Sequence, residues 1–189
     1  AVQVSPPYPI VAQSAQAGND MLFDHLIADP QVKSREQFGA RVTNYVSHQF
    51  NLALPRDSQA VIRSRPHIKV GAVPRTANFA VTDSRVEQIT NTWSFNLSDV
   101  EKVSTEIQAW AAHMSRLRQR GGLLESRGRP PLVIPENVQL RVVYEEPRTD
   151  AANPALDIAK EVWAEVPGLI AYPESQQSRL VEDALGVVA

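Results

Sequence analysis

Residues 98–122 read SDVEKVSTEIQAWAAHMSRLRQRGG and contain the strongest helical pattern in the chain. Ser98 and Glu101 have the spacing of a capping box, in which two side chains satisfy the first backbone N–H groups of a helix. Gly121 and Gly122 are typical of a helix end. The stretch is shorter than the three to four heptads that indicate a coiled coil, so it predicts a core-facing helix. The apolar residues that recur every three or four positions are Val100, Val103, Ile107, Trp110, Met114 and Leu117.

Helical patterns also occur on both sides of this stretch. In residues 83–93, Val86, Ile89 and Trp93 are spaced as on one face of a helix. Asn153 and Pro154 match the N-cap and first-turn proline that begin a helix. The predicted flanking helices cover residues 19–29, 34–55, 83–93, 153–167 and the segment that follows Pro173.

The proline-rich stretches between the helices predict a small β component. Residues 55–82 contain short apolar runs broken by Pro66 and Pro74, and residues 138–144 alternate as a strand does. The fold class predicted from these patterns is mainly α, a bundle of about five or six helices with a few small strands. Residues 1–16, with three prolines, predict an extended N-terminal arm, and residues 17–189 predict a single mainly helical domain.

Composition excludes several classes of protein. The chain has 189 residues, a net charge of −2 and no cysteine, so it has no disulfide, cysteine nucleophile or Cys-ligated metal. No apolar run reaches the roughly 18 residues of a membrane span. The first residues lack the basic region and apolar core of a secretory signal. We therefore expect a soluble protein that is not secreted and does not bind membranes.

Motifs for catalysis are not visible. The glycines form neither a P-loop nor a dinucleotide fingerprint, and Gly-x-Ser-x-Gly does not occur. A Ser/His/Asp site assembled only in the folded chain stays open. We expect no cofactor, no metal and no enzymatic activity, and we expect His113 to be a partly buried structural residue. The histidines, too dispersed for a zinc-hydrolase motif, are His25, His48, His67 and His113.

Glu145 and Glu146 end the best predicted strand. Adjacent residues of a strand point to opposite faces, so the two carboxylates cannot act together as acid and base on one bond. We expect both to be solvated at the strand end.

The remaining signal is electrostatic. Basic side chains outnumber acidic ones in residues 56–129, and the reverse holds in residues 136–189. The basic residues are mostly arginine, which forms paired hydrogen bonds with phosphate and stacks on bases. A solvated surface, an acidic protein partner and the helix dipole, which favours cations at a helix C-terminus, are competing explanations. The candidate nucleic-acid-binding residues are Arg63, Arg65, Lys69, Arg75, Arg116, Arg118, Arg120, Arg127 and Arg129.

These features favour a non-enzymatic structural protein. The hypothesis is a coat-type subunit of a virus or phage that forms a homo-oligomer and binds RNA or another nucleic acid through its arginines. Such a protein is expected in the virion or the host cytoplasm. Head-to-tail assembly would place the acidic C-terminal part of one copy against the basic middle of the next. The alternative is a monomeric adaptor or regulatory module that binds an acidic protein partner, and an enzyme with a scattered polar site comes third.

Overall fold

The computed structural model describes residues 35–55, 57–96, 100–126 and 128–188. These residues form 4 α-helices and 9 β-strands in two sheets, an α/β fold, so the prediction of a mainly α helical bundle is wrong. The helices are α1 (Arg35–Ala53), α2 (Val100–Arg120), α3 (Asn153–Ala164) and α4 (Ser178–Gly186). The strands are β1 (Val61–Ser64), β2 (His67–Val70), β3 (Val73–Thr76), β4 (Phe79–Thr82), β5 (Val86–Ser94), β6 (Gly122–Ser126), β7 (Arg129–Ile134), β8 (Gln139–Glu145) and β9 (Leu169–Pro173).

The larger sheet has the strand order β1-β4-β5-β8-β9. Strands β5, β8 and β9 are parallel, whereas β4 runs antiparallel to both of its neighbours. Parallel neighbours require a long crossover connection. α2 with the β6–β7 hairpin connects β5 to β8, and α3 connects β8 to β9. The smaller sheet is antiparallel, with the order β3-β2-β6-β7.

Helices cover both faces of the larger sheet. α2 and α3 pack against each other on one face, where Trp93, Trp110 and Trp163 belong to the main apolar core. α1 and α4 pack together on the other face, where Phe38 and Leu180 contribute to a second cluster. Neighbouring residues of a strand alternate between the two faces, so each strand of the sheet supplies both cores.

Strand β5 occupies the stretch that was predicted as a helix over residues 83–93. Val86, Ile89 and Trp93 are buried, and their spacing imitates one face of a helix. The polar residues that alternate with Ile89 and Trp93 are buried as well, so the strand lacks the polar, solvated face that identifies an amphipathic strand. These buried polar residues are Gln88, Thr90, Thr92 and Ser94.

Other local predictions are confirmed by the structure. Along α2, Val103, Ile107, Trp110, Met114 and Leu117 are all buried, as expected for a core-facing helix. α1, α3, α4 and β8 occupy segments predicted as helices and strand, and small strands lie within residues 55–82 as expected. The predicted arm over 1–16, the helix over 19–29 and the capping residue Ser98 lie outside the described residues. No helix in the described part of the chain has the length and apolar character needed to cross a bilayer.

Glu145 is predicted to be solvated, but the structure buries it. It lies on the opposite face from the exposed Glu146, but it is only 5% exposed. Ser94 Oγ donates to Glu145 Oε2 at 2.7 Å, and Arg148 Nη2 lies 3.4 Å from Glu145 Oε1. The parallel pairing of β5 and β8 brings Ser94 beside Glu145, so the carboxylate is buried with partners.

Candidate nucleic-acid interface

The predicted nucleic-acid-binding residues lie in three parts of the structure: the edge of the larger sheet, the smaller sheet and the end of α2. Arg127 lies outside the described residues. The positions of the others are Arg63 in β1, Arg65 directly after it, Lys69 in β2, Arg75 in β3, Arg116, Arg118 and Arg120 in α2, and Arg129 in β7.

Arg63 and Arg129 form a pair of like charges. Arg63 is partly buried, and its Nε and Nη1 atoms are inaccessible to solvent and have no hydrogen-bond partner among the described residues. Burial lowers the pKa of Arg63, and the positive charge of the exposed Arg129 lowers it further. A bound anion would relieve both costs, because an opposite charge favours the protonated guanidinium.

Arg75 and Arg116 lie close to a buried histidine. His113 is 3% exposed, and its Nε2 lies 3.3 Å from the carbonyl oxygen of Ile68. Burial is the main cause that lowers the pKa of His113. The hydrogen bond to Ile68 raises the pKa, and the positive charges of Arg75 and Arg116 lower it. The pKa of His113 therefore lies below the ordinary value of histidine, and the residue is more completely buried than predicted. Both arginines are exposed.

Arg118 has a structural role. Its Nε, Nη1 and Nη2 atoms donate to the carbonyl oxygens of Pro167, Glu136 and Gly168 at 2.7, 2.9 and 3.3 Å. These bonds fasten the end of α2 to the segments that precede β8 and β9. Since these carbonyl oxygens already use three of the five N–H donors of its guanidinium, Arg118 is left out of the candidate interface.

Lys69 and Arg120 have ordinary structural explanations. Lys69 Nζ lies 3.6 Å from Glu125 Oε1 on the neighbouring strand, in an exposed ion pair. Arg120 is exposed in the last turn of α2, where the helix dipole favours a cation. Neither residue needs an external anion to account for its position.

Several arginines elsewhere in the fold form ion pairs with carboxylates. These ion pairs are Arg41 with Glu174, Arg85 with Glu87, Arg141 with Asp183, and Arg148 with Glu145. Across the described residues, by contrast, no ion pair joins a carboxylate to Arg63, Arg75, Arg116 or Arg129. We call these four residues the unpaired arginines.

A cavity of about 360 Å³, lined mostly by polar residues, lies between α1 and the segments that flank β1 and β4. Gly39 permits the close approach of α1, because a β-carbon there would lie 2.2 Å from Asn78 Nδ2 and 2.9 Å from Thr92 Oγ1. The described residues that line the cavity include no carboxylate. Its polar lining residues include Thr43, Asn44, Ser64, Arg65, Asn78 and Asn91.

Arg65 has a left-handed backbone at the rim of this cavity, with φ of 49°. Such a conformation costs a residue other than glycine about 1–3 kcal/mol and persists only where its surroundings fix it. Here the N–H of Arg65 donates to the carbonyl oxygen of Asn78 at 2.9 Å, and Pro66 follows. The turn therefore holds Arg65 next to the cavity.

Sequence reasoning missed the asparagines of the cavity. Asn44 and Asn78 are isolated amides that match no motif, and Asn91 lies in the segment that was predicted as a helix. The β-branched and aromatic residues of 86–95 were the available signal for a strand. As a strand, that segment would have placed Asn91 between Ile89 and Trp93 on one face.

Metal sites and known relatives add no further assignment. Over residues 35–55, 57–96, 100–126 and 128–188, no group of three or more His, Asp or Glu side chains could hold a metal ion. Comparison of the chain with protein-family models, curated proteins and solved structures found no match. A proposal about function therefore depends on the positions of the unpaired arginines and of the cavity.

Proposed function

We propose that this protein is a non-enzymatic structural protein that binds single-stranded RNA through the unpaired arginines and assembles as a coat-type subunit of a viral or phage particle. The observation that carries RNA binding is the pair Arg63 and Arg129, two like charges with no carboxylate partner among the described residues. Phosphates of a nucleic-acid backbone provide the negative charge that this pair lacks. The virion and the host cytoplasm are the proposed locations.

The chemistry of the four residues supports a contact with phosphates rather than with bases. Arg75, Arg116 and Arg129 are exposed, and an exposed guanidinium can form two parallel hydrogen bonds with one phosphate. Arg75 and Arg129 lie on β3 and β7, the two edge strands of the smaller sheet. A chain of phosphates can contact both edges, whereas a single small anion cannot. We therefore expect binding that depends weakly on RNA sequence.

Replacing Arg63 and Arg129 together by glutamine should flatten the salt dependence of RNA binding. Each phosphate contact with a single strand contributes about −0.7 to the slope of log affinity against log salt. Loss of two contacts should therefore reduce the steepness by about 1.4. The measurement is fluorescence anisotropy of a labelled single-stranded RNA, titrated at salt concentrations from about 50 to 200 mM.

The matched control replaces Arg41 and Arg85 by glutamine. This variant loses the same charge, but Arg41 pairs with Glu174 and Arg85 pairs with Glu87. Its slope should stay that of the wild type. The single exposed change Arg129→Gln, with an expected loss of about 0.7, protects the test against a folding defect at Arg63. Equal flattening in the control would show a diffuse charge effect, and binding of an acidic peptide without RNA binding would favour the adaptor alternative.

The smaller sheet also supports self-assembly. Leu123 on β6 and Val133 on β7 are paired in register, and they are 41% and 62% exposed. Cross-strand partners share one face of a sheet, and adjacent exposed apolar residues are typical of protein contacts. Asp157, Glu161 and Glu165 form an exposed acidic row along α3 and its C-cap, which a second copy could place beside a basic surface.

Replacing Leu123 and Val133 by serine should therefore weaken self-association. We expect the wild type to run well above the 20.9 kDa of one chain in light scattering, and the double variant to run closer to it. Leu52→Ser is the matched control, because Leu52 is 69% exposed on α1, a helix that packs on β5 and α4. A wild-type protein that stays monomeric at every concentration would contradict the assembly proposal.

A further inference from the structure

The cavity beside Arg65 has the size of a ligand site. Its volume of about 360 Å³ lies within the range of roughly 300–1,000 Å³ that is typical of small-molecule sites. Arg65 and Thr76 line it and are exposed, so the cavity reaches the surface on their side. Three asparagines, Asn44, Asn78 and Asn91, line it as well.

Asn91 provides an observation that points to a ligand. It is 1% exposed, lines the cavity, and its Nδ2 atom has no hydrogen-bond partner among the described residues. Buried polar groups in folded proteins almost always have partners, so an unused donor at a cavity wall calls for an external acceptor. The ligand should therefore present a carbonyl oxygen or a ring nitrogen towards Asn91.

The wall that faces α1 is held rigidly by hydrogen bonds. Asn78 Oδ1 accepts a hydrogen bond from the backbone N–H of Thr92 at 2.8 Å, and the backbone N–H of Asn78 donates to the carbonyl oxygen of Thr90 at 3.1 Å. The carbonyl oxygen of Asn78 accepts the N–H of Arg65. A cavity wall fixed in advance lowers the entropy cost of binding.

From these contacts we infer that the cavity binds one nucleotide, with its base against Asn91 and its phosphate towards Arg65. An amide group presents a donor and an acceptor side by side, which suits the hydrogen-bonding edge of a base. The guanidinium of Arg65 suits a phosphate. Because no carboxylate occurs among the described lining residues, the cavity does not repel an anion. The inference rests on the proposed RNA binding and adds to it a base-contacting pocket.

The test uses the full chain and the four ribonucleoside 5′-monophosphates as probes. In NMR titrations of the wild type, at least one nucleotide should shift the side-chain amide signal of Asn91 saturably. Asn91→Ala should weaken that binding about five- to tenfold, as expected for the loss of one hydrogen bond. If none of the four shifts the Asn91 signal, the inference is wrong, whether or not the variant folds.

Two glycine variants give a second readout. Gly39→Ala brings a methyl group against Asn78, whereas Gly186→Ala adds a methyl group in open space at the end of α4. Nucleotide binding should weaken in the first variant and stay unchanged in the second. Equal affinity for both would overturn the inference.

The outcomes separate this inference from the proposed function. Salt-dependent RNA binding without any nucleotide effect on Asn91 would contradict nucleotide binding in the cavity and would still support the phosphate interface. A nucleotide that binds at Asn91 in a protein without affinity for RNA polymers supports the pocket and removes the proposed RNA function.

Discussion

Replacing Trp110 by alanine should lower the free energy of unfolding by about 3–5 kcal/mol, the usual cost of emptying a large aromatic site. Trp110 is 4% exposed on α2 and packs edge to face on Trp93 of β5, with ring centroids 6.4 Å apart. The substitution therefore removes an edge-to-face contact between the crossover helix and the central strand. Urea denaturation followed by circular dichroism measures the loss.

Leu52→Ala provides the control for Trp110. Leu52 is 69% exposed on α1, so its truncation should change stability by less than about 0.5 kcal/mol. If Trp110→Ala were as stable as Leu52→Ala, α2 could not pack on the sheet as described.

Replacing Asp183 by alanine should cost about 3 kcal/mol, because it leaves a buried positive charge without its partner. Arg141 lies on β8 and is 5% exposed, and its Nε donates to Asp183 of α4. Tyr172 also donates its hydroxyl to Asp183 Oδ2, at 3.0 Å. Asp183 thus joins α4 to two strands of the larger sheet, and thermal and urea unfolding should both report its loss.

Two further variants make this prediction specific. Asp183→Asn keeps an acceptor for Arg141 and Tyr172, so it should cost less than the alanine change. Glu182→Ala alters the neighbouring, exposed residue of the same helix and should be close to neutral. Equal stability of Asp183→Ala and Glu182→Ala would show that the ion pair with Arg141 contributes nothing.

The fold shows which sequence patterns were informative. The stripe of α2 was predicted correctly because one face of that helix is buried and the other is solvated, which is the pattern that hydrophobic periodicity detects. β5 was predicted wrongly because both of its faces are buried, including Thr90 and Thr92. Without β5 the parallel sheet could not be seen, and the remaining elements resembled a helical bundle.

The candidate interface could be predicted only as a set of residues. The count of arginines was visible in the sequence, but their partners were not. Arg118 donates hydrogen bonds to backbone carbonyls of segments that are distant in the sequence. Lys69 forms an ion pair with Glu125 on the neighbouring strand. Both contacts exist only in the folded chain. The closeness of the two like charges of Arg63 and Arg129 also depends on the fold, which brings β1 near the start of β7.

The salt dependence of RNA binding by the wild-type protein tests the central claim most directly. If all four unpaired arginines contact phosphates, log affinity for a single-stranded RNA should fall with log salt at a slope of about −2.8. The slope should be similar for RNAs of different sequence, because phosphates carry no sequence information. No binding at the lowest salt, or binding whose affinity does not change with salt, would contradict the account.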